Sequence, residues 1–130
     1  MEKEKEAMLL SECYEAFGGS YEAVKQRISN DATIQKFLLM FLKEPSYGNL
    51  CEALEKENYE NAFRVAHSLK GISQNLSFQK LEISSSALTE LLRNYAEQPI
   101  DKAQCKELFD KITVDYKAVW NAVDEFARQQ

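Results

Sequence analysis

Little in this sequence can interrupt a helix: 130 residues hold two prolines and four glycines. Between those breakers, apolar residues return at three- and four-residue intervals, and the alternation of a half-buried strand does not appear. Stripes of this kind must be covered, so the chain has to fold by packing helix against helix.

The stripes and stop signals divide the chain as follows. A first helix is expected over about residues 3–17, with Leu9, Leu10, Cys13, Tyr14 and Phe17 on its apolar side and Gly18-Gly19 ending it. Ser20 can cap a short helix carrying Tyr21, Val24 and Ile28. Asp31 is the expected cap of the next, whose Ile34, Phe37, Leu38 and Phe41 keep i, i+3, i+4, i+7 spacing. Pro45 stops it, Ser46 can cap a helix with Leu50 and Leu54, and Asn58 marks the following turn.

Three longer helices complete the pattern. One runs from Tyr59 to about Leu76 with the stripe Ala62, Val65/Ala66, Leu69, Ile72/Ser73, Leu76, and one from about Phe78 to Ala96 with Leu81, Ser85, Leu88, Leu91/Leu92 and Tyr95. The last begins at Asp101, with Gln104 placed for a capping box and Ile100 and Cys105 for a hydrophobic staple. It continues through Leu108, Ile112, Val119, Val123 and Phe126. Short connections make successive helices antiparallel neighbours. The expected fold is therefore all-α: an antiparallel up-and-down four-helix bundle over about 31–128, with short additional N-terminal helices over about 3–28. Residues 1–130 form a single domain in this reading, consistent with 45% hydrophobic and 28% charged residues.

Charge and cysteine usage narrow the partners. A net charge of −5 with no basic block argues against nucleic acid. Cys13, Cys51 and Cys105 form no CxxC pair and no Cys/His cluster, which points to reduced thiols rather than a zinc site or disulfide framework. The N-terminal MEKEKEAMLL lacks a signal-peptide core, and the longest apolar run, Phe37 to Leu42, is far short of a membrane span. The expectation is a cytoplasmic protein without membrane contact. With no heptad seam beyond one bundle, a monomer is the default.

His67 is the only histidine. On a helix its neighbours at three and four residues are Phe63 and Arg64 on one side and Lys70 and Gly71 on the other, with Gln74 a turn further. It stands about 100° from the core position Ala66, at the solvent edge of the packed face. A neutral imidazole near pH 7 is a nucleophile that needs no activating base, and Lys70 can set a positive charge beside phosphoryl oxygens. Gly71 costs about 1 kcal/mol relative to alanine inside a helix and would clear space for an approaching protein.

Each residue also has an ordinary reading. Lys70 and Arg64 can be solvated surface charges, Phe63 a wide-angle core residue, and Gly71 a site of close helix contact or an early helix end.

The run Ala66-His67-Ser68-Leu69-Lys70-Gly71, continued by Ile72-Ser73-Gln74-Asn75-Leu76, resembles the AHxLKG signature of histidine-containing phosphotransfer domains of the free-standing bacterial type. The likeness spans about Gly18 to Asn94, the last helix agreeing only in pattern. It implies a phosphorelay carrier with His67 as phosphoacceptor, Lys70 as the assisting charge and Gly71 as the gap admitting the partner. The implied partners are receiver domains of response regulators or hybrid histidine kinases, whose aspartyl phosphate is exchanged with the histidine, Nε2 being the expected nitrogen. They would dock over Phe63, Arg64, Ser68, Ile72 and Gln74. Two departures from the family pattern are Ser77, where glycine is usual, and Leu88-Thr89, where Leu-Glu is common.

There is no GxGxxG or GxxxxGK[ST], so neither ATP binding nor autokinase activity is expected. No cofactor or metal is expected of this chain, any magnesium belonging to the partner receiver. The alternative is a non-catalytic helical module that docks or sequesters a receiver domain or another signalling protein through the same face. A metalloenzyme has almost no constellation to support it.

Overall fold

The computed structural model describes residues 8–130, and every regular element among them is a helix. These are α1 (Leu10–Ala16), α2 (Tyr21–Arg27), α3 (Asp31–Phe41), α4 (Ser46–Glu55), α5 (Tyr59–Asn75), α6 (Gln79–Leu92) and α7 (Lys102–Arg128). Of the first expected helix, residues 3–7 lie outside the described part. Residues 8 and 9 are not helical, so that helix begins at Leu10.

Capping follows the sequence at Ser20 and Asp101, and Asn58, read only as a turn, caps as well. Ser20, Asn58 and Asp101 each accept a hydrogen bond from the backbone N–H three residues on, at 3.0–3.1 Å. It departs in two other places. Asn30, not Asp31, caps α3 by accepting from Thr33 N–H at 3.1 Å. Asp31 is instead held by Lys25 at 2.6 Å and by the Tyr21 hydroxyl at 2.7 Å, which keep its carboxyl below the usual range. At α4 the cap position is Pro45, and Ser46, already helical, turns its hydroxyl to Glu44. At α7, Asp101 caps, but no bond returns from the Gln104 side chain.

The stripes bury as expected, with three exceptions, the first being Leu9, which is 64% exposed just ahead of α1. Ile34, Leu38 and Phe41 of α3 are covered, whereas Phe37 stays 37% exposed beside exposed Met40 and Leu39. In α7, Asp115 sits in the stripe between Ile112 and Val119, 8% exposed, with one carboxylate oxygen unpaired. The N-terminal helices are fastened by an aromatic cluster. Phe78 meets Phe17 at 5.2 Å, Phe41 at 5.0 Å and Tyr14 at 6.1 Å between ring centroids, and the Tyr14 hydroxyl donates to Leu76 O at 2.8 Å.

The long α5 packs against α4 on one side and α6 on the other, and α6 packs against α7. Small residues of α6 serve that packing: Ser85 and Thr89 are fully buried and return their hydroxyls to the carbonyls of Leu81 (2.6 Å) and Ser85 (2.7 Å). Between α4 and α7, Tyr47 stacks on Tyr116 at 4.2 Å and shares a 2.8 Å hydrogen bond with Thr113. These contacts fix α5, with its core side on Ala62, Ala66, Leu69 and Ser73 and its opposite side in solvent.

The turn after α5 bears on Ser77. Its φ of +58° lies in the left-handed region, where glycine is the residue without penalty. The turn closes through Phe78 N–H to Ser73 O at 2.8 Å, and the Gly18-Gly19 turn docks onto it through Ser20 N–H to Ser77 O at 3.2 Å. Serine thus preserves the tight turn at the cost of local strain.

Candidate phosphoacceptor site

His67 is exposed on α5, and its ring lies nearly parallel to Phe63 one turn earlier, 6.3 Å between centroids and 19° between planes. Phe63 is half-buried, packed against the core edge and tilted onto Tyr95 at 6.4 Å. It is therefore both a core-margin residue and the floor on which the imidazole rests.

Lys70 is half-buried on the same side of α5 and pairs with no acid among the described residues. Arg64 makes an exposed i,i+4 contact with Glu60 at 3.5 Å, the weak kind of surface pair. The exposed Ser68 donates to Arg64 O at 3.1 Å, and Gln74 is exposed on the last turn.

Gly71 decides between its readings. A Cβ built there would meet nothing within 4 Å. The helix continues four residues beyond it to Asn75. Neither close helix packing nor an early helix end accounts for this glycine, so the space it leaves opens outward beside His67.

The sequence did not reveal what α6 contributes. Glu90 and Arg93 form a two-point pair, Nε to Oε1 at 3.1 Å and Nη2 to Oε2 at 2.6 Å. The guanidinium carbon lies 5.5 Å from the centroid of the Phe63 ring. The Glu90 carboxyl is held below its ordinary range, first by the hydrogen bonds from Arg93 and further by the charges of Arg93, Lys70 and His67. Which side of α6 faces α5 is a tertiary fact, and only the i,i+3 spacing of Glu90 and Arg93 hinted at a pair. Tyr95, expected inside the α6 stripe, lies past the helix end at Leu92 and reaches Phe63 from the following turn.

Further along α5, Ile72, Asn75 and Leu76 form one wall of an open groove of about 520 Å³. Phe37, Met40 and Phe41 of α3 form the other, and Arg27, Lys43 and Glu44 add charge. Phe37 and Met40, exposed on α3, border this groove.

Other chemistry is thinly provided. Among the described residues no three His, Cys, Asp or Glu side chains gather as a metal site, and no helix is long and apolar enough to cross a membrane. Cys13 and Cys105 are buried and Cys51 half-buried, all as free thiols. Burial pushes the Cys13 thiol up to about 12.

The site thus consists of an exposed imidazole on a packed helix, with a lysine one turn on and an open glycine beside it. The profile of the Hpt domain family matches residues 45–124, well over half of the chain, and the protein belongs to that family. The match begins at Pro45 and runs far into α7, reaching further along the last helix, and less far toward the N-terminus, than the likeness read from the sequence. No curated protein and no solved structure matches the chain. Family membership carries histidine phosphotransfer in phosphorelays, a carrier role rather than a catalytic one, and interaction with receiver domains.

Proposed function

We propose that this protein relays a phosphoryl group between receiver-domain aspartates through His67. The observation that carries the reading is Gly71: a helix-interior glycine that nothing in the fold requires, four residues after an exposed histidine, inside the segment that matches the family. The finer fold reading is part of the proposal: an antiparallel up-and-down four-helix bundle within about residues 31–128, with the short helices α1 and α2 over one end, in a single domain that acts as a cytoplasmic monomer.

The chemistry asks little of the protein. The imidazole nitrogen, Nε2 in this reading, attacks the phosphorus of an aspartyl phosphate in line, and the N–P bond forms as the acyl P–O bond breaks. The bonding pair leaves with the aspartate carboxylate. The ring keeps its other N–H, and Lys70 faces the phosphoryl oxygens. Phe63 fixes the ring plane, so that much of the rate comes from orientation. The chain binds no cofactor of its own, and the receiver's carboxylates hold the magnesium. The docking surface comprises Phe63, Arg64, Ser68, Ile72 and Gln74, and continues from Ile72 into the α3 groove.

The second reading, a module that only binds, is favoured by the groove and its exposed Phe37 and Met40, which need no nucleophile. One experiment separates the two. Wild type and His67→Gln are titrated with a phosphorylated receiver domain, following affinity and acid-labile, base-stable label together. A carrier labels as wild type and fails to label as His67→Gln with affinity retained. Binding by wild type without any label leaves the module.

A further inference from the structure

Two charges at the end of α6, Glu90 on its last turn and Arg93 at its C-cap, lie beside the Phe63 that stacks with His67, and they are already paired. Arg93 holds Glu90 at two points, 3.1 and 2.6 Å, while its guanidinium lies against Phe63, the ring beneath His67. Arg93 is 48% and Glu90 57% exposed at the side chain, so both are free to exchange partners. We propose that the Glu90–Arg93 pair sets the phosphoryl transfer potential of His67, Arg93 serving with Lys70 as a cation for the phosphoryl group and Glu90 as the resident anion competing for it. The inference rests on His67 being the phosphoacceptor.

The reasoning is electrostatic. Unphosphorylated His67 leaves Glu90 as the anion nearest Arg93. A phosphoryl group on the imidazole brings close to two negative charges to the same spot and offers Arg93 a second acceptor with better geometry for a planar fork. Glu90 repels that group and holds back the cation, so the phosphohistidine is kept less stable than Lys70 and Arg93 alone would make it. That suits a relay point, which must release the group as readily as it takes it. The hydrogen bonds from Arg93 hold the Glu90 carboxyl below its ordinary range, and the charges of Arg93, Lys70 and His67 act in the same direction. A unit charge within a Debye length of a dianion in water shifts an equilibrium about two- to threefold.

In this proposal Arg93 meets the phosphoryl group itself and Glu90 acts through Arg93, so the test must move with charge and not with docking. Wild type, Glu90→Gln, Arg93→Gln and the double variant are each equilibrated with the same receiver domain, phosphorylated with acetyl phosphate and magnesium and then freed of the donor. The share of phosphoryl group on His67 is read on a phosphate-affinity gel. The equilibrium constant compares the free proteins only, so a residue that merely touches the receiver drops out of it.

The expected result is a two- to threefold rise for Glu90→Gln and a similar fall for Arg93→Gln, on the charge estimate above. The double variant returns near the wild type, and all shifts fade at roughly 1 M salt, where the Debye length is about 3 Å. Single variants that shift in the same direction, or not at all, overturn the proposal while wild-type labelling leaves the carrier reading standing. A wild type that takes no label overturns both. Where Arg93→Gln fails to fold, Arg93→Met keeps the hydrocarbon cover on Phe63 and carries the same prediction.

Discussion

Replacing Gly71 by alanine should make the protein more stable and a worse carrier. The stability part follows from two facts: the position is inside α5, and a Cβ there meets nothing within 4 Å. The methyl group brings no clash, so the helix gains the propensity difference, about 1 kcal/mol. For a domain of this size that raises the melting temperature by about 3–5 °C. The functional part follows from where the methyl points, into the open space a turn beyond the imidazole. Displacing the receiver by about 1 Å from in-line geometry can cost as much as 100-fold, so the expected fall in the rate of transfer is about 10- to 100-fold. Gly71→Leu should abolish transfer. Thermal unfolding followed by circular dichroism and single-turnover transfer from a phosphorylated receiver measure the two halves separately. A destabilised Gly71→Ala would mean that the space is not open. A stabilised variant that transfers at the wild-type rate would mean that the space is not used.

Three further outcomes are expected. Ser77→Gly should stabilise the fold by up to about 1 kcal/mol in denaturant titration, because Ser77 stands at φ +58° where only glycine escapes the left-handed penalty. Stability should fall as pH rises above the ordinary thiol value of 9.0 towards about 12. Burial raises the Cys13 thiol to about 12 and pushes the Tyr14 hydroxyl up from its ordinary 10.0, so over this range the unfolded chain loses protons that the folded one keeps. Cys13→Ala should flatten part of that slope in melting curves taken across the range. Met40→Asp, on the exposed side of the α3 groove, should weaken receiver binding by about tenfold in calorimetry, the loss of one well-placed apolar contact. It should leave the phosphoryl equilibrium between the free proteins unchanged.

The helices were legible because their signals are local. Apolar period, the Gly18-Gly19 stop, the Asn58 turn and the caps Ser20 and Asp101 depend on residues within a turn of each other, and the structure agrees with them. Asn30 and Asp31 are equally good caps side by side, and the choice fell to Lys25 and Tyr21, which draw Asp31 away. Phe37 fits the α3 stripe by spacing, but the stripe that finds cover is narrower, and Phe37 is left at the groove. Of the site, the α5 column was readable because His67, Lys70 and Gly71 share one helix face. Arg93, with its partner Glu90, and Tyr95 reach Phe63 across a helix interface, where register decides, and no spacing within one segment encodes it. The ordinary readings of Gly71 fell only when its surroundings were seen to be empty.

The central claim is that His67 carries the phosphoryl group in both directions, and a pulse and chase tests it most directly. Wild-type protein is mixed with a receiver domain bearing a radioactive phosphoryl group, separated, and then offered an excess of unphosphorylated receiver. The account predicts one acid-labile, base-stable label per chain, located by mass spectrometry on His67, absent from His67→Gln, and removed by the chase. Label on any other residue, label that persists in His67→Gln, or label that the second receiver cannot remove would contradict it.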